Sequence, residues 1–245
     1  MIHEQMNSLL RLLTLSLILP ALLCACQPQP QSRSDQPVVS AAAAAWPERP
    51  YPGFSRSEQM VFRLDPAFTR IDIVVRRDGP LARFGHDHVV TVQDPEGFLL
   101  LDTVGPGSRA DLRFRPDLLS VDAKEARARY DLDTQPDAAA IDGTRKNLLT
   151  EVLDAEAWPW AAVALEDFVH HGDHYSAMVT LRINGVESSA RQPFHLRRDG
   201  TRVMVDGSLT VRQTQLGIEP FSALGGGLRV ADPMEIHFHL EASAL

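Results

Sequence analysis

The chain has almost no cysteine. Its 245 residues hold two, Cys24 and Cys26, both close to the N-terminus. A disulfide framework in the body of the protein is excluded, and so is a thiol active site. Any exported domain must then be stable through its core alone. A basic stripe with interleaved aromatics is also absent: the formal net charge is -8 and the pI about 5.6. Such a surface repels phosphate backbones and excludes nucleic acid as a partner. No G-x-S-x-G turn, carboxylate dyad or phosphate loop occurs, so no enzyme template is assembled. Glu166 and Asp167 adjoin on one strand and face opposite ways, and Gly225 to Gly227 lack the helix and Lys-Ser/Thr of a phosphate loop. No cofactor is expected.

The one long apolar run is short for a membrane span. Leu12 to Leu23 follows Arg11 and precedes small residues, which is the layout of an export signal. "LCAC", Leu23 to Cys26, resembles the bacterial lipobox, with Cys26 as the lipidated residue. The residue after it is Gln27 rather than aspartate, which by bacterial sorting rules points to the outer membrane. Residues 1–25 therefore read as a lipoprotein signal peptide. Residues 26–58, rich in Gln, Pro, Ser and Ala, read as a tether that holds a domain off the membrane.

From residue 59 to the end the pattern has period two. "RIDIVVRR" puts Ile71, Ile73 and Val75 on one face, and "ADLRFRP" sets Leu112 and Phe114 against Asp111, Arg113 and Arg115. "MVTLRING", "RVMVDGSLTVRQ" and "PMEIHFHLEA" continue the alternation, with turn signals such as "RDG", "GPGS" and "NG" between runs. This predicts antiparallel strands with one wet face. Only Asp137 to Pro159 departs from it, with Ile141, Leu148, Leu149, Val152 and Leu153 at helical spacing, Asp142 as a candidate cap and Pro159 as a stop. An all-β fold of about eight strands with a helical insertion suits a closed barrel, because closure removes sheet edges. A barrel of that size is filled by side chains or holds one ligand.

The histidines fall into two groups. In "RFGHDHVV", His86 and His88 share a strand face with Val90 and Val92, which makes them inward candidates. Two imidazoles there suit a transition metal, the head of a lipid, or neighbouring carbonyls, and a tight metal site would need a third ligand from elsewhere. His237 and His239 point outward beside Glu235 and Glu241, as does His195, and "HHGDH" (His170 to His174) reads as a solvated turn.

"FRLDPAFTRIDIVVRRDGPLARFGHDH", "VLDAEAWPWAAVAL" and "GSLTVRQTQLGIEPFSALGGGLRVADPMEIHFHLEA" resemble, in this order, the YceI-like family of bacterial periplasmic proteins. The ordered marks run from Val61 to Leu245, and the compact "GHDH" is a variant of the commoner family pattern. The resemblance implies an extended lipocalin-like antiparallel barrel at 59–245, with a long apolar cavity for polyisoprenoid or similar amphiphilic lipids. Inward residues Ile73, Leu112, Phe114, Leu181, Val205, Leu209 and Phe238 would then be cavity wall, with His86 and His88 near the head group. Alternation by itself favours a filled core. The expected partner is an isoprenoid or fatty lipid, and the alternative is a metal-binding or redox-linked periplasmic protein using His86 and His88.

Overall fold

A computed structural model describes residues 46–52, 59–102 and 107–245. The signal segment, Cys26 and most of the expected tether lie outside the described residues. The strands, in chain order, are β1 (Gln59–Leu64), β2 (Arg70–Asp78), β3 (His88–Thr91), β4 (Glu96–Asp102), β5 (Arg109–Phe114), β6 (Ser120–Val121), β7 (Ala161–His170), β8 (Tyr175–Ile183), β9 (Val186–Asp199), β10 (Arg202–Arg212), β11 (Ser222–Ala223) and β12 (Leu228–Ala244). Two helices, α1 (Lys124–Arg129) and α2 (Ala138–Asn147), lie between β6 and β7.

All strand pairs are antiparallel. Eight strands close a ring in the order β1-β4-β5-β7-β8-β9-β10-β12, sealed where Phe62 pairs with Ala244 and Leu64 with Ala242. The alternation of the sequence is spent on this ring, with one face of each strand turned to the lumen and the other outward.

Three adjacent strands are broken at proline. Pro66 opens a 3-10 turn between β1 and β2, with Asp65 accepting from the Ala67 N–H at 3.1 Å. Pro95 follows Asp94, whose φ is 52°, between β3 and β4, and Pro116 opens the turn between β5 and β6. Proline has no N–H for the ladder and a fixed φ, so each interrupts pairing at that point. The result is a step. β1, β4 and β5 belong to the closed ring, whereas β2, β3 and β6 continue from β12 as an extension. β7 pairs β5 and not β6, and the helical insertion spans that interval. It packs Ile141, Leu148, Val152 and Leu153 into the main core.

The insertion differs from its sequence-based form in two respects. α2 is capped by Asp137, whose carboxylate accepts from the Ala140 N–H at 2.8 Å, so Asp142 sits inside the helix instead of starting it. A π turn, Leu148–Val152, continues α2. α1 was not expected, since six residues carry too little periodicity to be read. It packs Ala126 on Val74 and Val89, with Tyr130 and Leu132 beside them. The outer face of β2 and β3 is therefore dry, and the expectation of a wet outer face fails there. Asp72, fully buried on that face, is held by Thr91 Oγ1 at 2.6 Å, Tyr130 Oη at 3.0 Å and Arg129 Nε at 3.1 Å. Burial and this bond push the Tyr130 phenol up to about 12.

Residues 46–52, within the stretch expected as tether, lie on the barrel wall. Tyr51 Oη donates to Asp111 at 2.6 Å, and Arg109 donates to the carbonyls of Arg49 and Pro50 at 2.9 and 2.8 Å. The Arg113 guanidinium stands between the rings of Trp46 and Trp160, 4.3 and 4.0 Å from their centroids.

Candidate functional site

The barrel is hollow. Two adjoining chambers of about 190 and 310 Å³ share Ile73, Phe114, Ile183 and Met234, which line both. The expected wall residues all face the inner chamber: Ile73 from β2, Leu112 and Phe114 from β5, Leu181 from β8, Val205 and Leu209 from β10, and Phe238 from β12. Asp111 and Gln192 are the polar residues of that lining, and the Asp111 carboxylate is turned to Tyr51 and Arg109. Leu99, Val203 and Ala242, which also line the inner chamber, form a buried cluster with Phe62.

The outer chamber is different in chemistry. Its apolar walls come from Val75, Val90, Leu119, the insertion's Leu148 and Val152, and the rings of Trp158, Trp160 and Phe221. Arg77, His86, His88, Thr144, Asn147 and Arg229 bring polar groups to the same space. The two chambers thus adjoin, the inner one almost wholly apolar and the outer one apolar with a few polar groups added.

His86 and His88 both line the outer chamber, with ring centroids 6.3 Å apart. β3 begins only at His88, so His86 belongs to the preceding loop and not to the strand expected through it. His88 Nδ1 lies 2.6 Å from Asp122 Oδ2. Asp122 follows β6 with its side chain fully buried, and its other oxygen accepts from Arg127 at 2.6 Å and from the Val89 N–H at 3.1 Å. Burial works against this carboxylate's charge, but the bonds with His88, Val89 and Arg127 outweigh it and hold its pKa below the ordinary range. His88 is thereby oriented by Asp122, leaving Nε2 as its other hydrogen-bonding atom. His86 Nδ1 is buried and has no hydrogen-bond partner among the described residues. The other polar side chains are largely engaged: Arg77 with Gly85 and Asp133, Arg229 with Asp78, Asn184 with the Val152 carbonyl, and Gln213 with the Ala231 carbonyl.

Sequence reasoning missed several parts of this site. Asp122 and Arg127, which set His88, lie in a stretch with no motif. Trp158 and Trp160 were visible only as part of "VLDAEAWPWAAVAL". Trp158 packs on the Asn184–Gly185 turn, where a Cβ at Gly185 would stand 2.5 Å from its ring.

Other histidines stay outside the lumen. His239 Nδ1 lies 2.6 Å from Asp206 and its Nε2 3.3 Å from Glu241; the bond to Asp206, then that to Glu241, raise its pKa. His237 packs on the Tyr130 ring at 5.0 Å, and His195 Nδ1 lies 3.2 Å from the Asp173 carbonyl. In the turn after β7, His171 Nε2 lies 2.8 Å from Ser176 Oγ, a contact that the sequence did not suggest. Arg191 also approaches that hydroxyl, at 3.4 Å. Among the described residues, no group of three or more His, Cys, Asp or Glu is placed to hold a metal ion.

The structure thus defines a closed eight-stranded antiparallel barrel with a helical insertion and a two-chambered lumen. The same architecture occurs in the crystal structure of Burkholderia cenocepacia BcnA, with TM-score 0.54 and 15% identity, covering 74% of this chain and 99% of that one. It occurs also in a polyisoprenoid binding domain from Saccharophagus degradans implicated in plant cell wall breakdown, with TM-score 0.52 and 13% identity, covering 76% of this chain and 99% of that one. At these identities the likeness is one of fold. No family model matches the sequence, and no curated protein matches it either.

Proposed function

We propose that this protein binds an amphiphilic isoprenoid or fatty lipid, with the tail in the inner chamber and the head among His86, His88 and their neighbours in the outer one. The observation that carries this reading is the change of lining between two adjoining chambers, almost wholly apolar in the inner one and apolar with histidine, arginine and amide groups added in the outer one. A tail gains about 0.8 kcal/mol for each methylene moved from water into an apolar wall, so affinity needs little polar chemistry. The outer chamber alone reaches the lower end of ligand pockets, which run about 300–1,000 Å³. The fold shared with a structure described as a polyisoprenoid binding domain supports the same ligand class. A metal or redox role for His86 and His88 has less support, because a tight site needs at least three ligands and no group of three or more His, Cys, Asp or Glu stands together among the described residues.

Organic extraction of the purified protein followed by mass spectrometry tests the reading. One defined lipid per chain is the expected result. Empty preparations that also fail to take up added isoprenoids would overturn it. We further propose that the protein works as a carrier or store on the periplasmic side, anchored through lipidated Cys26 to the outer membrane. Full-length protein should fractionate with membranes, and Cys26→Ser should release it. A variant that stays with membranes as wild type does would contradict the lipid anchor.

A further inference from the structure

We propose that the lip beside the outer chamber, made of the β2–β3 loop and the β11–β12 loop, docks the barrel on an anionic lipid bilayer. This rests on the lipid-binding reading above only for its purpose, not for its geometry. Phe84 in the first loop is 65% exposed and Leu224 in the second is 74% exposed, the highest values among the exposed large apolar side chains of the described residues. The loops are joined: Leu81 N donates to the Gly227 carbonyl at 2.8 Å. They pack so closely that a Cβ at Gly79 would stand 2.7 Å from that oxygen. Phe84 lines the outer chamber, and Leu224 lies between Phe221 and Leu228, which also line it. The lip therefore borders the cavity.

The backbone marks Leu224 independently. Its φ is 53°, in the left-handed region, followed by Gly225 and Gly226, also at positive φ. Glycine would serve a mere turn at 224, whereas a leucine there bears strain and exposes its side chain to water. Strained, exposed positions of this kind occur at functional sites.

The charge and the size of the patch select the occupant. The Arg83 guanidinium lies 4.6 Å from the centre of the Phe84 ring, and no carboxylate among the described residues pairs with it. Arg229 is paired with Asp78, so Arg83 is the cation the lip offers, although the whole chain is acidic at -8. Two apolar tips and one cation are far short of the roughly 800 Å² per partner that a stable protein interface buries. They match interfacial insertion, where a few apolar side chains enter the headgroup boundary and basic residues meet anionic lipid. A ligand with an insoluble tail would then enter the outer chamber from the bilayer.

Hydrogen exchange of the full-length protein on phosphatidylcholine vesicles, with and without about one-third phosphatidylglycerol, tests this, because the N-terminal anchor is common to both. The expected result is several-fold slower exchange of the 81–87 and 222–228 amides on the anionic vesicles, with the β8 amides unchanged. Phe84→Ser/Leu224→Ser should remove the difference between the two vesicles, as should Arg83→Gln. Equal exchange of the wild type on both vesicles would overturn the inference. Protection that fades as the protein is diluted on the vesicle surface would overturn it too, assigning the lip to a second copy. If extraction recovers no lipid while lip protection persists, the carrier reading falls and the docking surface stands.

Discussion

Phe238 covers Gly207, its cross-strand partner on β10. A Cβ at position 207 would stand 2.5 Å from Phe238 Cζ, so the ring occupies the space a side chain would have filled. The aromatic side chain is thereby kept against the wall, and the inner chamber stays open. Gly207→Ala should push the ring into the lumen. We expect a loss of about 1–3 kcal/mol of stability from overpacking, together with weaker lipid retention, measured by urea unfolding and by extraction. Unchanged lipid content would show that Phe238 does not limit the chamber.

Leu209 lines the same chamber from β10. Leu209→Trp should keep the fold while displacing the ligand, because the added volume enters open space instead of packed core. Thermal unfolding should remain cooperative as lipid recovery drops toward zero. An unfolded variant would mean that the lumen is filled by side chains.

His86 and His88 offer the head group few bonds. Replacing both with Phe should weaken binding of a hydroxyl-bearing isoprenoid about 3- to 30-fold, as for one or two hydrogen bonds, and leave a pure hydrocarbon nearly unaffected. Competition with a fluorescent fatty probe would measure both. Equal effects on the two ligands would place the head elsewhere.

Asp122 should govern stability in acid. Its folded pKa is depressed, so its contribution is present above the ordinary unfolded value near 3.8 and is lost as pH falls through the lower folded value. Urea midpoints between pH 7 and pH 3 should therefore decline in the wild type and decline less in Asp122→Asn. At neutral pH that variant should lose about 3–5 kcal/mol, because Arg127 is left buried without its carboxylate.

His239 carries the opposite sign. Its folded pKa is raised by Asp206 and Glu241, so its contribution is complete below the unfolded value of 6.5 and disappears as pH rises through the folded value. Stability should fall as pH rises from 6.5 through the raised folded value, and His239→Gln should remove that part of the slope. A wild-type urea midpoint that does not fall there would contradict it.

The legible parts of this protein are those with a short period. Alternation along residues 109–114, 175–183, 202–212 and 234–240 specified strands and their inner faces, since a strand's side chains must alternate and the apolar set must leave water. The seven wall residues were named from that rule, yet alternation is the same for a filled and an open barrel. Whether the lumen is empty depends on non-local facts, such as Phe238 lying over Gly207 and prolines stepping three neighbouring strands at one level. The partners of His88 could not be read either. Asp122 and Arg127 lie 34 and 39 residues away, and only the β3–β6 pairing and the turn into α1 bring them to it. By itself the sequence determined antiparallel strands with one helical interruption and the inward face of His88, because those follow from local periodicity and hydrophobicity, whereas His86 lies in the loop before β3, where no period applies. Tertiary structure decided that the barrel is hollow, that its polar groups gather in the outer chamber, and that Phe84 and Leu224 meet at one lip, because each depends on which distant segments the closure of the sheet brings together.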